Sequence, residues 1–186
     1  QSKITISKYF FINKRIIKYF YSQANRIVAV SKGIKDDLVS SFNISENYIS
    51  VIYNPVYNYS IIESSYIKDK DINFITTPYL VAVGRLVVQK NYINLIEAFK
   101  ILIESKKIND INLIIIGDGK EKYSIVRRIN QLRLNNYINL TGFLRNPFPL
   151  IKNAAAVVLA SDWEGLPTIL IEALSLKKQI VSTDCP

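Results

Sequence analysis

AAAVVLASDWEGLPTILIEALSLKKQIVST, residues 154–183, passes from a short apolar stretch through a polar loop into a helix-like segment and out into a second apolar stretch. The spacing predicts a strand over AAVVLAS, a helix over 167–177 and a strand over QIVST, a unit that joins two parallel strands. Toward the N-terminus the same rhythm recurs. It predicts strands at YLVAVG (79–84), INLIIIG (111–117) and YINLTG (137–142), with helices over 91–107, 120–134 and 147–153. Such alternation makes an α/β domain, a Rossmann-like parallel sheet with helices on both faces. The continuously apolar strands fit it, because both sheet faces are then covered. Residues 56–77 are polar and irregular, as a linker would be. Before them come a helix over 8–24, a strand at RIVAV, a helix over 32–42 capped by Ser31 with Asp36 and Asp37 near its first turns, and a strand in YISVIYNPV. Asn54 and Pro55 end that strand and mark a hinge. Two regions are therefore expected, 1–54 and 55–186.

Ligands in such sheets bind at the carboxyl ends of the strands. After the first strand of the longer region, Gly84 permits a tight exit, Arg85 and Lys90 supply two positive charges, and Asn91 starts the helix. A guanidinium fork and an ammonium suit a diphosphate; two surface cations are the alternative. The next strand ends in Gly117, Asp118 and Gly119, where glycines allow close backbone approach and Asp118 suits a helix cap. Gly142, Phe143 and Leu144 follow the third strand; Phe143 is either a wall for a flat base or a core plug. In SDWEGLPTILIEAL, Pro167 suits the first helical position, and Thr168 and Ile169 present amides to an anion. Glu172 lies one turn beyond Thr168, and helical side chains lean back toward the N-terminus, so Glu172 and Glu164 reach the same mouth. Acids that accept from hydroxyls, beside cations that hold phosphates, describe a nucleotide-diphosphate sugar. Simple helix capping is the other reading of the acids.

Composition narrows the classes. The chain has 186 residues, 49% apolar and 21% charged, which fits a globular protein. It holds no histidine, so His-based general base catalysis and His-ligated metal sites are excluded within it. A single cysteine, Cys185, forms no internal disulfide and fits a reducing compartment. No apolar run approaches the roughly 20 residues of a membrane span. No G-x-G-x-x-G follows the first strand and no P-loop pattern occurs, which removes the main support for dinucleotide oxidoreductases and P-loop enzymes. The net charge is +9, and the first 54 residues hold eight Lys or Arg against three acids. SKYFFINKRIIKYFYSQANR (7–26) reads either as a basic amphipathic helix for an anionic membrane or nucleic acid, or as a core helix of a larger domain with solvated lysines. The chain opens on Gln and stops just after a strand, so it is expected to be truncated at both ends.

GRLVVQKN, IIIGDG, LTGF and the E-x7-E spacing of Glu164 and Glu172 resemble, in order and spacing, the donor-binding domain of family 4 retaining glycosyltransferases. VAVSKGIKDDL and VIYNPV resemble the end of that family's N-terminal domain and the start of its second. The resemblance implies the two-domain GT-B architecture, with residues 1–54 from the acceptor-side domain and 55–186 from the donor domain. It implies that Arg85 and Lys90 bind the diphosphate and stabilise the departing nucleotide, with Lys90 the nearer to an electrophilic catalyst. Glu164 would hold hydroxyls of the transferred sugar, Glu172 the ribose hydroxyls, and the backbone of Gly165, Leu166, Pro167 and Thr168 would touch sugar and phosphate. No divalent metal or other cofactor is implied. The donor would be a UDP- or GDP-sugar and the product a retained hexosyl linkage on a saccharide or lipid-linked acceptor of surface polysaccharide synthesis. Nucleic acid is not an expected partner. The expected location is the cytoplasm, with peripheral contact at the inner face of the plasma membrane. Departures are the family's glycine-rich loop and donor-side histidine, which would precede residue 1, and Lys177 or Lys178 where a glycine usually ends the helix. The alternatives are a sugar-nucleotide epimerase or phosphorylase of the same fold, and a noncatalytic basic membrane- or nucleic-acid-binding module.

Overall fold

The computed structural model describes residues 16, 18–67, 78–107 and 110–185. Half of the basic stretch 7–26 (residues 7–15 and 17) and residues 68–77 of the expected linker lie outside them; residues 18–22 are helical. The chain divides into two compact units, Gln1–Pro55 and Val56–Pro186.

In the first unit, β1 (Ile27–Ala29) pairs in parallel with β2 (Ile49–Val51), and α1 (Lys32–Phe42) connects them. Ser31 caps α1 by accepting from the Ile34 amide at 3.2 Å. Asp36 and Asp37 lie in its second turn, and Asp37 accepts from Ser41 Oγ at 2.6 Å. Asn43 takes the left-handed conformation at φ 56° and stops the helix. Ile27, Ala29, Leu38 and Ile49 form this unit's small core. Only three residues of YISVIYNPV are strand, preceded by a 3-10 turn at Glu46–Tyr48.

The second unit is the parallel α/β domain. Its elements are α2 (Tyr59–Ser64), β3 (Tyr79–Val83), α3 (Tyr92–Glu104), β4 (Asn112–Ile116), α4 (Lys122–Gln131), β5 (Ile138–Gly142), α5 (Phe148–Asn153), β6 (Ala156–Leu159), α6 (Thr168–Ser175) and β7 (Gln179–Ser182). The strand order is β5-β4-β3-β6-β7, parallel throughout. Successive residues of β4 explain its unbroken apolar run. Leu113 and Ile115 enter the core beneath α3 and α4 with Ile96, Phe99, Ile125 and Ile129, whereas Ile114 and Ile116 enter the core beneath α5 and α6 with Leu150, Ile151, Ile169 and Ala173. Each such residue is almost fully buried, which contributes about 1.5–3 kcal/mol apiece relative to exposure.

Three expectations are corrected. Residues 59–64, expected to be irregular, are the helix α2: Asn58 accepts from the Ser60 amide at 3.1 Å and Ile61 is buried, so capping and packing outweigh weak helix formers. Pro167 stands at the N-cap of α6, one residue before the helix, with ψ 89°. Asp118 does not cap α4, whose N-cap is Glu121.

Of the two lysines where the resemblance leads to an expected glycine, Lys177 adopts φ 57°, and α6 still closes, with the Lys178 amide donating to Ala173 O at 3.0 Å. A side chain in that conformation costs about 1–2 kcal/mol, of which glycine returns about 0.5–1 through its greater unfolded entropy. Lys177→Gly is therefore expected to stabilise the domain by about 0.5–1 kcal/mol in urea denaturation. The opposite holds at Gly117, where a Cβ would sit 1.9 Å from the carbonyl oxygen of Gly84. Gly117→Ala is expected to destabilise by roughly 2–3 kcal/mol in the same assay, because backbone must yield.

Candidate functional site

β3 and β6 are neighbours at the centre of the sheet, yet α3 packs on one face and α6 on the other. Their exit loops therefore part and leave a crevice at the carboxyl ends of the two strands, the place where such sheets bind ligands. Ala82, Val83, Val158, Leu159 and Ala160 form an apolar lining there, together with Lys90 and Tyr92.

Lys90 and Glu164 meet across this crevice. Lys90 Nζ lies 2.5 Å from Glu164 Oε1, and the two side chains are only 17% and 10% exposed. Ser161 Oγ donates to the same carboxylate oxygen at 2.6 Å. Glu164 Oε2 takes no bond from any described residue. Gly84 is glycine for a local reason, since a Cβ would lie 3.2 Å from the Tyr92 hydroxyl and 3.5 Å from Lys90 Cε. The buried Tyr92 phenol donates to Gly84 O at 3.1 Å. Burial pushes its pKa well above the ordinary phenol value, and the Glu164 charge adds to this, so it remains a neutral donor.

The two exit loops are also stitched together. The Asp162 amide donates to Gln89 O at 2.9 Å, Gln89 Nε2 to Trp163 O at 2.7 Å, and Asn91 Nδ2 to Asp162 Oδ1 at 2.7 Å. Asn91 also caps α3, from a left-handed φ of 44°, by accepting from the Asn94 amide. Leu86, fully buried, plugs the β3 loop into the core, and its amide donates to Asp118 O at 2.9 Å.

The remaining expected residues fall into separate groups. Arg85 is exposed and makes no ion pair with any described residue. Gly117 and Gly119 approach backbone: their missing Cβ atoms would lie 1.9 Å from Gly84 O and 2.3 Å from Leu86 O. Asp118 is exposed, and hydrogen bonds from Lys122 first and the Gly119 amide second hold its carboxyl below the usual range. Phe143 is 77% exposed, which overturns the core-plug reading, while Leu144 packs against the core beneath α5 and α6. Gly165, Leu166, Pro167 and Thr168 form the turn into α6, with Thr168 exposed. Glu172, on α6, is partly buried without a hydrogen bond or ion pair to the described residues, and this burial raises its pKa. Contact is thus made between Lys90 and Glu164, while Arg85 and Glu172 make no ion pair with the described residues. Among the described residues no group of three or more His, Cys, Asp or Glu side chains is placed to hold a metal. Also among them, no helix is long and apolar enough to cross a membrane. Sequence reasoning missed Ser161, Gln89 and Tyr92; the one signal for Ser161 was a polar residue ending an apolar strand.

The pattern of the family Glycosyl transferases group 1 matches residues 66–186, and that of Glycosyltransferase Family 4 matches residues 4–57. The chain is 32% identical over 177 residues to the N-acetylgalactosamine-N,N'-diacetylbacillosaminyl-diphospho-undecaprenol 4-alpha-N-acetylgalactosaminyltransferase of Campylobacter jejuni, covering 93% of this chain and 45% of that protein. It is 30% identical over 162 residues to the lipopolysaccharide 1,6-galactosyltransferase of Salmonella typhimurium, covering 85% of this chain and 42% of that protein. The chain spans less than half the length of these curated relatives. Among solved structures it resembles Anabaena HepE in complex with UDP and glucose, with a TM-score of 0.76 at 19% identity, over 94% of this chain and 48% of that one. That likeness establishes the fold, a Rossmann-like parallel sheet of the GT-B glycosyltransferase type with helices on both faces.

The raised Glu172 pKa fixes a sign. The folded protein holds this proton more tightly than the unfolded chain, so the associated stability is complete below the ordinary value of 4.5 and is lost as pH rises through the folded value. Glu172→Gln is expected to raise the thermal midpoint at pH 7 and to leave it nearly unchanged at pH 4, as followed by differential scanning calorimetry.

Proposed function

The chain belongs to the group 1 glycosyl transferases, and from that premise we propose that its second unit binds the donor in a retaining hexosyl transfer from a UDP- or GDP-sugar. The acceptor in this reading is a saccharide or lipid-linked saccharide of surface polysaccharide or glycolipid assembly. The diphospho-undecaprenol and lipopolysaccharide in the relatives' names support that acceptor class. Residues 1–54 then come from the acceptor-side domain, and the enzyme works in the cytoplasm at the inner face of the plasma membrane.

The observation that carries the reading is the Lys90–Glu164 pair held by Ser161 in the crevice between β3 and β6. The bond from the anomeric carbon to the β-phosphate oxygen breaks with its electron pair left on that oxygen. Lys90, where burial weakens solvent screening, and the exposed Arg85 stabilise the charge that develops there. This is the work a divalent metal does elsewhere, and no metal or other cofactor is invoked. The acceptor hydroxyl attacks from the face the nucleotide leaves, and its proton passes to the departing phosphate oxygen, so configuration is retained. Glu164 Oε2 accepts from a hydroxyl of the transferred sugar. Glu172 accepts from the ribose hydroxyls, and no hydrogen bond from the described residues takes up its lone pairs. The turn Gly165–Thr168 lies against sugar and phosphate, and the exposed Phe143 ring offers a face to the base. Gly84, Gly117 and Asp118 shape the donor side of the crevice through their backbone.

Titration calorimetry of the full-length protein with UDP- and GDP-sugars tests the proposal. Lys90→Ala and Glu172→Ala are each expected to weaken donor binding by about tenfold, the scale of one charge-assisted hydrogen bond. Unchanged affinity in both variants would overturn this assignment of the site.

A further inference from the structure

We infer that Ser161 is a positioning residue for the transferred sugar: with Lys90 it saturates one oxygen of Glu164, which leaves Oε2 as the accepting atom for a sugar hydroxyl. The inference rests on the donor reading above and goes beyond it by assigning work to a residue that touches no ligand.

Ser161 is 1% exposed and lies two residues beyond Leu159, the last residue of β6. A hydroxyl at that depth needs an acceptor, and Glu164 Oε1, at 2.6 Å, is the one it uses. Its own backbone is pinned from β7, because Thr183 Oγ1 donates to Ser161 O at 2.7 Å and the Thr183 amide donates to Leu159 O at 3.0 Å. The next two residues are held to the β3 exit loop through Gln89 and Asn91.

Lys90 alone does not fix the plane of a carboxylate. Its ammonium is a point charge on a flexible four-carbon stem with rotatable donors. A short hydroxyl on a pinned backbone supplies the second, directional bond. With both donors on Oε1, the lone pairs of Oε2 remain, and an ionised carboxylate only accepts. The group it meets must therefore be a hydrogen-bond donor, and a free nucleotide, whose ribose hydroxyls the donor reading gives to Glu172, lacks the hydroxyls of the transferred sugar. Ser161 thus bears on the sugar half of the donor and not on the diphosphate half. Discrimination of this kind comes from leaving a placed acceptor unsatisfied when the hydroxyl is missing.

The experiment compares nucleotide sugars with sugar-free nucleotides on the full-length protein by titration calorimetry. The probes are UDP-glucose, UDP-galactose, UDP-N-acetylglucosamine and GDP-mannose, set against UDP and GDP. Ser161→Ala is expected to weaken the best-bound nucleotide sugar by about fivefold, the scale of one hydrogen bond, and to leave the matching free nucleotide unchanged. Ser161→Cys keeps the volume with a weaker donor and is expected to fall between; it is the variant read if Ser161→Ala does not fold. Equal losses for sugar and free nucleotide indicate a merely structural serine and overturn the inference, as does no loss in either variant. Absence of binding of every probe to the unsubstituted protein overturns the donor reading itself, and the Ser161 role with it.

Discussion

The second unit depends on one topological constraint. A parallel strand must be followed by a crossover, and crossovers from adjacent central strands that leave toward opposite faces force their exit loops apart. Here β3 feeds α3 on one face and β6 feeds α6 on the other. The opening at their ends is therefore not a feature added to a finished fold. Neighbouring strands whose crossovers leave in this way cannot close over each other at their ends, and Lys90, Ser161 and Glu164 meet at this opening.

What occupies that opening is a mutually neutralising pair. Lys90 and Glu164 are mostly removed from water, and two charges so placed lose hydration that only close contact and further hydrogen bonds recover. Ser161 supplies one such bond to the carboxylate, and the Tyr92 phenol occupies the space beside Gly84 next to the lysine stem. The pair holds both partners in place before any ligand arrives. In the proposed donor complex a diphosphate would share the ammonium with a carboxylate. Arg85, exposed and in no ion pair with the described residues, carries no such competition, so the two cations are not equivalent.

How much of this was legible in the sequence depends on the range of the interaction. The βαβ rhythm was readable because both sheet faces are apolar, so β4 appears as an unbroken run of isoleucines with leucine. The α1 boundaries were readable because Ser31 caps the helix locally. The helix α2 was not, because its stability comes from Asn58 and from burying Ile61 against distant elements. At the site, Arg85, Lys90, Glu164 and Glu172 stand out as charges at strand ends and helix starts. Their pairing does not: Lys90 and Glu164 are 74 positions apart, and only the β3–β6 adjacency brings them together. Ser161 was invisible for a further reason, since nothing in its identity shows that its hydroxyl faces a carboxylate three residues on.

The close backbone approach at Gly117 and Gly119 has a bearing on engineering. The loop leaving β3 is lodged against the loop leaving β4, carbonyl to α-carbon, with no side chain between them to act as a cushion. Neither segment can be exchanged alone for a homologous one of different shape. A graft meant to reshape this end of the sheet would have to transplant residues 84–91 and 117–121 as a single cassette, and natural divergence in one is expected to be accompanied by divergence in the other.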